Sequence, residues 1–128
     1  MEVVDYYLYT KEHEWVSIED NIATIGITDY AQEALGDITF VELPAIGDEV
    51  EQFEEFASIE SVKAANDIFA PVSGKVIQVN TRLESDPGLI NKSAFEKGWI
   101  AKVQMSDKEE ASNLMTAEEY QKFLESID

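Results

Sequence analysis

The sequence predicts a mainly β fold: a flattened antiparallel β-sandwich or barrel with peripheral and C-terminal helices. Three observations carry that reading. Short runs of β-branched and aromatic residues recur with a period of two. Gly, Pro, Asn and Asp punctuate them at close intervals. From Asp107 onward the composition turns helical.

Taken in order, His13 to Ile18 and Ile22 to Ile27 are β-type runs separated by Glu19-Asp20-Asn21, a hairpin turn. Thr28 or Asp29 caps a short helix through Leu35, and Gly36 ends it. Asp37 to Leu43 returns to strand, and Pro44 to Asp48 is a loop. Phe56 to Val62 and Asp67 to Val72 flank a turn made of Lys63-Ala64-Ala65-Asn66, giving a hairpin over about 56–72. Ser73-Gly74 turns the chain into Lys75 to Asn80. After Gly98, Trp99, Ala101, Val103 and Met105 alternate with Ile100, Lys102 and Gln104, the pattern of a half-buried strand. Helices are expected over about 107–127, as Asp107 to Met115 and Thr116 to Ile127, the second opened by the capping box Thr116-Ala117-Glu118-Glu119. Tyr120, Phe123, Leu124 and Ile127 then recur at helical spacing and should pack on the sheet. Residues 1–128 read as one domain.

Composition narrows the function. Hydrophobic residues make up 45% of the chain, enough for an ordinary core. Nine basic residues face 27 acidic ones, a net charge of −18 that repels nucleic acid and anionic lipid and steers toward basic surfaces. No apolar run reaches membrane-span length, and the acidic N-terminus resembles neither a secretory signal nor a transit peptide. The expectation is a cytoplasmic bacterial protein, or a trimmed mitochondrial-matrix protein if eukaryotic, and a monomer. With no cysteine and one histidine, disulfides, catalytic thiols and histidine-rich metal centres are excluded. Any redox or acyl chemistry must therefore use an imported group.

One segment offers an attachment point. Glu60-Ser61-Val62-Lys63-Ala64-Ala65-Asn66-Asp67 places a lysine at a hairpin tip beside small alanines. An enzyme that acylates lysine needs such presentation, with a reachable amine over ordered backbone. Physics alone favours an ordinary solvated turn lysine.

Further blocks change that. Tyr9-Thr10-Lys11-Glu12-His13-Glu14-Trp15-Val16, Ala23 to Gln32, Leu35-Gly36-Asp37-Ile38 and Phe40-Val41-Glu42-Leu43-Pro44 resemble the glycine cleavage H-protein family. So do Glu60-Ser61-Val62-Lys63-Ala64, Ala70-Pro71-Val72-Ser73-Gly74, Leu89-Ile90-Asn91 and Gly98-Trp99, in the family's order and spacing. The resemblance implies a fold of the biotinyl/lipoyl carrier type and lipoate attached covalently to Lys63. It implies a non-catalytic carrier that takes the aminomethyl group of glycine from the decarboxylase to a tetrahydrofolate-using aminomethyltransferase, then offers the reduced arm to dihydrolipoyl dehydrogenase. A lipoyl-attaching enzyme is a fourth partner, with Glu60 and Ala64 as its landmarks. Glu14 and Asp67 match the positions where the family docks its loaded arm; the alternative is that both belong to a generally acidic surface.

His13, Trp15 and Trp99 read as structural, and Lys75 lacks the alanine flank of Lys63. Two departures stand out: Phe53 where the family usually has glycine, and Ala94-Phe95 in place of a Pro-Tyr pair. Competing readings are a dehydrogenase lipoyl domain, a biotinyl domain, a lipoyl relay that donates to other acceptors, an acidic binding protein and a carboxylate-pair enzyme. Val62 and Ala64 replace the methionines of biotinyl carriers, and Val62 replaces the aspartate of dehydrogenase lipoyl domains. The charge imbalance predicts that association with partner enzymes weakens as ionic strength rises. Affinity titrated against salt checks this, and a flat profile would refute electrostatic steering.

Overall fold

A computed structural model describes residues 2–127; Met1 and Asp128, which the sequence reading assigns to the same domain, lie outside the described residues. Two antiparallel sheets face each other. The larger contains β1 (Leu8–Tyr9), β2 (Glu14–Glu19), β3 (Ile22–Ile27), β9 (Ala101–Met105), β8 (Gly74–Val79) and β5 (Glu49–Val50), in that spatial order. The smaller orders β4 (Ile38–Glu42), β6 (Glu55–Ser61) and β7 (Ala65–Phe69). A cluster of Ile27 and Ala101 from the first sheet with Ile38, Val41, Ile59 and Ile68 from the second shows that their inner faces make one core. A mainly β sandwich with a few helices is therefore what the sequence produces.

The first hairpin closes where expected. Asp20 and Asn21 both take positive φ (48° and 70°), the conformation a two-residue turn needs to match strand twist. Trp15 pairs with Gly26 across β2 and β3, and a Cβ on Gly26 would lie 2.6 Å from the Trp15 ring. The indole lies over the glycine, donating Nε1–H to the Ala94 carbonyl at 3.0 Å. Helix α1 (Asp29–Leu35) begins at Thr28, whose hydroxyl accepts from the Ala31 amide, and ends at Gly36 with φ 78°.

Several expectations need correction. The turn after β6 is shorter than the four residues expected: Ala65 pairs with Glu60 and Asn66 with Ile59, so both belong to β7 and only Val62, Lys63 and Ala64 form the apex. The strand then stops at Phe69, and Ala70 to Val72 continue as buried loop. Trp99 and Ile100 break the alternation, because Ile100 is the fully buried one while Trp99 is half-buried under Lys102. Lys108–Asn113 is a 3-10 helix capped by Asp107 rather than an α-helix. Two one-turn helices, α2 (Arg82–Ser85) and α3 (Leu89–Lys92), fill the stretch between β8 and β9.

The last helix, α4 (Ala117–Ile127), behaves as its pattern requires. The capping box is reciprocal: the Glu119 amide donates to Thr116 Oγ1 at 3.2 Å and the Thr116 amide to Glu119 Oε1 at 2.9 Å. Tyr120 and Leu124 are buried, whereas Ile127, expected on the same face, is exposed at the helix end. The Tyr120 ring stacks on Tyr9 at 4.5 Å, and its hydroxyl meets Thr28 Oγ1 and His13 Nδ1, each at 2.8 Å. His13 is thus a structural joint between α4 and the start of β2. Burial lowers its pKa, favouring the neutral imidazole such a joint needs.

Gly26→Ala should destabilise the protein by about 1–3 kcal/mol, because Trp15 must leave its rotamer or the strands must part. Urea denaturation measures it, and a change within error would show that the ring has room to move.

Candidate functional site

Ser61 makes the hairpin tip rigid. Its hydroxyl oxygen accepts from the Lys63 and Ala64 amides, both at 3.2 Å, and donates to the Ala64 carbonyl at 3.3 Å. The Ser61 amide also donates to the Ala64 carbonyl at 2.8 Å, closing the loop. Neighbouring backbone holds the turn down: the Val62 amide donates to the Asp37 carbonyl at 3.1 Å. The Lys63 stem passes over Gly36, where an added Cβ would sit 3.4 Å from Lys63 Cε. Asn91 secures that platform by donating to the Gly36 carbonyl at 2.9 Å and accepting from the Ile38 amide at 2.9 Å. Lys63 is exposed and makes no ion pair among the described residues. Glu60 and Ala64 flank it, both exposed.

The second feature is a cleft of about 430 Å³, bordered by Tyr9, Thr10, Glu14, Phe53, Phe69 and Met115. That volume falls within the range of small-molecule sites. Its one buried carboxylate is Glu14, only 2% exposed. Thr10 donates its hydroxyl to Glu14 Oε1, and the Phe69 amide donates to Oε2 at 3.2 Å. The carboxyl therefore links the start of β2 to the end of β7. Burial pushes its pKa up to about 7, against the opposing pull of these hydrogen bonds.

The lysine's turn leads into the strand that ends at the cleft. Phe69, which borders the cleft, stands six residues beyond Lys63 at the far end of β7.

Of the sequence-selected residues, the structure brings Glu14 into the cleft and removes it from the acidic surface. Asp67 is exposed, paired with Ser58, and is not among the cleft's bordering residues. Lys75 is also exposed, but lies within β8 rather than on a tip. Ser61, Asn91, Thr10 and Phe53 received no site role from the sequence. A serine two residues before the lysine was a readable turn signal. Asn91 carried none, because its partners are over fifty residues away. Among the described residues no His/Asp/Glu cluster suits a metal ion, and no helix is long and apolar enough to cross a membrane.

Comparison with known proteins agrees with this arrangement. The family model described as glycine cleavage H-protein matches residues 7–127. The glycine cleavage system H protein of Thermotoga maritima is 54% identical over 115 residues, 90% of this chain and 93% of that protein. That of Staphylococcus epidermidis is 48% identical over 124 residues, 97% of this chain and 98% of the relative. A crystal structure of a glycine cleavage system H protein from Mycobacterium marinum superposes with a TM-score of 0.86 at 36% identity, covering 94% of this chain and 98% of that one. The chain that holds Lys63 on this clamped turn belongs to the glycine cleavage H-protein family.

Proposed function

We propose that Lys63 carries lipoate and that the arm shuttles the aminomethyl group of glycine from the decarboxylase to the aminomethyltransferase, then visits dihydrolipoyl dehydrogenase. The family role is that of a lipoyl carrier in glycine cleavage, a subunit rather than a catalyst. The observation that supports the finer reading is an exposed amine, without an ion pair among the described residues, on a turn closed by Ser61.

The residues present fit such a group. An amide on Lys63 Nζ would remove a charge that makes no ion pair among the described residues. When bound, the lipoyl group supplies a strained disulfide that can accept and release the one-carbon fragment. The protein's own task is to orient and shelter the arm. Gly36 leaves the stem clearance, and Ser61 keeps the tip still for the attaching enzyme, with Glu60 and Ala64 beside it. Tyr9, Phe69 and Met115 give the cleft an apolar border that excludes water.

Glu14 is placed to receive a cationic cargo. A carboxyl with a pKa of about 7 sits close to half protonated near neutrality. An ammonium arriving beside it favours the ionised form and forms a charge-assisted hydrogen bond in a dry site. Cargo binding then releases a proton. Asp67, outside the cleft on the same strand, meets the arm along its path.

Two experiments test this. Expressed with a lipoate source, the protein should gain a lipoyl increment in intact mass that Lys63→Arg abolishes; an increment surviving the substitution would overturn the assignment. The second concerns stability. Because the Glu14 pKa is raised in the folded state, that state holds more protons than the unfolded chain between about pH 4.5 and 7. Stability therefore falls as pH climbs through that window and levels off above it. Glu14→Gln should remove the slope, leaving the variant more stable than the parent at pH 8 by on the order of 2–3 kcal/mol relative to their difference at pH 5. Parallel urea curves with the same pH dependence would refute the buried-acid account.

A further inference from the structure

Phe53 breaks two rules at once. It is a bulky residue held at φ 67°, in the left-handed region that favours glycine. Half of its surface (51%) faces solvent, and it belongs to none of the three core clusters. Neither backbone ease nor core burial explains it. Its one evident position is the edge of the Glu14 cleft.

The surroundings impose this conformation. The Phe53 amide donates to the Ala70 carbonyl at 2.6 Å, and the Ala70 amide to the Glu54 carbonyl at 2.8 Å. The preceding residue is pinned through its backbone amide and both polar atoms of its side chain. The Gln52 amide donates to Ser73 Oγ at 2.8 Å, and its Nε2 donates to the Pro71 and Glu110 carbonyls at 2.9 and 3.0 Å. Its Oε1 accepts from Asn113 Nδ2 at 3.0 Å. Strained backbone persists where neighbours over-determine it, and such positions cluster at binding sites.

We propose that Phe53 is a positioning residue for the arm: its ring forms the solvent-side wall of the cleft, retaining the cargo end beside Glu14 and limiting its contact with water. The inference rests on the reading that the Lys63 arm occupies this cleft, and it assigns the wall to a side chain that glycine could not replace. The aliphatic and sulfur part of the arm meets an aromatic face, while the ammonium meets Glu14. An aromatic ring suits both, since its face also attracts a nearby cation.

The test uses the full-length lipoylated protein charged with ¹³C-labelled aminomethyl group by the decarboxylase and then separated from it. Water removes the cargo as formaldehyde and ammonia and leaves the thiol, so intact mass follows the loss. Phe53→Gly should lose cargo about fivefold faster, the change in docked population that removing ~40 Å² of apolar contact produces. Phe53→Tyr, which keeps the ring, should match the parent. The ¹³C methylene signal should show a ring-current shift in the parent and Phe53→Tyr that disappears in Phe53→Gly, with melting temperature changed by only a few degrees. Phe53→Ala carries the same test if the glycine variant does not fold. If Glu14→Ala hastens the loss and Phe53→Gly does not, the wall is refuted while the docking stands. If neither hastens it, the arm does not dock in this cleft and both ideas fail.

Discussion

A long side chain can serve as an attachment point only if the backbone beneath it stays still. Here that constraint is met by one hydroxyl. Ser61 binds both amides beyond it and the carbonyl that closes the turn, so three residues at the apex have little freedom left. The Val62 amide fastens the apex to the Asp37 carbonyl, and Asn91 fastens that segment to α3. Mobility thus begins at the lysine side chain and not in the loop. Gly36, over which the stem passes, ends α1 at φ 78°, a conformation that favours glycine.

The cleft obeys a different balance. Burying a carboxyl in an apolar setting is unfavourable, and Glu14 is stabilised only in part by Thr10 and the Phe69 amide. Phe53 adds backbone strain at the opposite border. Stability elsewhere offsets both costs, through the two-sheet core and the aromatic stack that anchors α4 to β1. The rigid and the strained parts of the molecule are therefore separate: the tip is held by satisfied hydrogen bonds, while the cleft retains a group near its titration point.

Most of the strand layout was legible in the residues. The Asp20-Asn21 turn, the Thr28 to Gly36 helix and the Thr116 capping box all rest on interactions within four residues, which local chemistry specifies. The misjudged elements depend on distant partners. Ala65 and Asn66 looked like turn residues because alanine and asparagine are poor strand formers, but pairing with Glu60 and Ile59 overrides that preference. Lys108 to Asn113 has helical composition and closes as a 3-10 helix, tied through Glu110 and Asn113 to the distant Gln52. Ile127 keeps helical spacing but lies past the end of the surface that α4 covers.

The sequence by itself determined the mainly β fold, since periodicity and turn residues close in the chain specify it, and it reached Lys63 only through the resemblance of the surrounding motifs to a family. It named Glu14 and Asp67 by resemblance but could not separate either from a generally acidic surface of 27 carboxylates. Only the tertiary structure separates Glu14, enclosed where β2 meets β7, from Asp67, which remains in water. It also turns Phe53 from an oddity into the border of a cleft. The physical reason is that burial and desolvation belong to surfaces brought together from distant segments, and no local pattern encodes which side chain they will enclose.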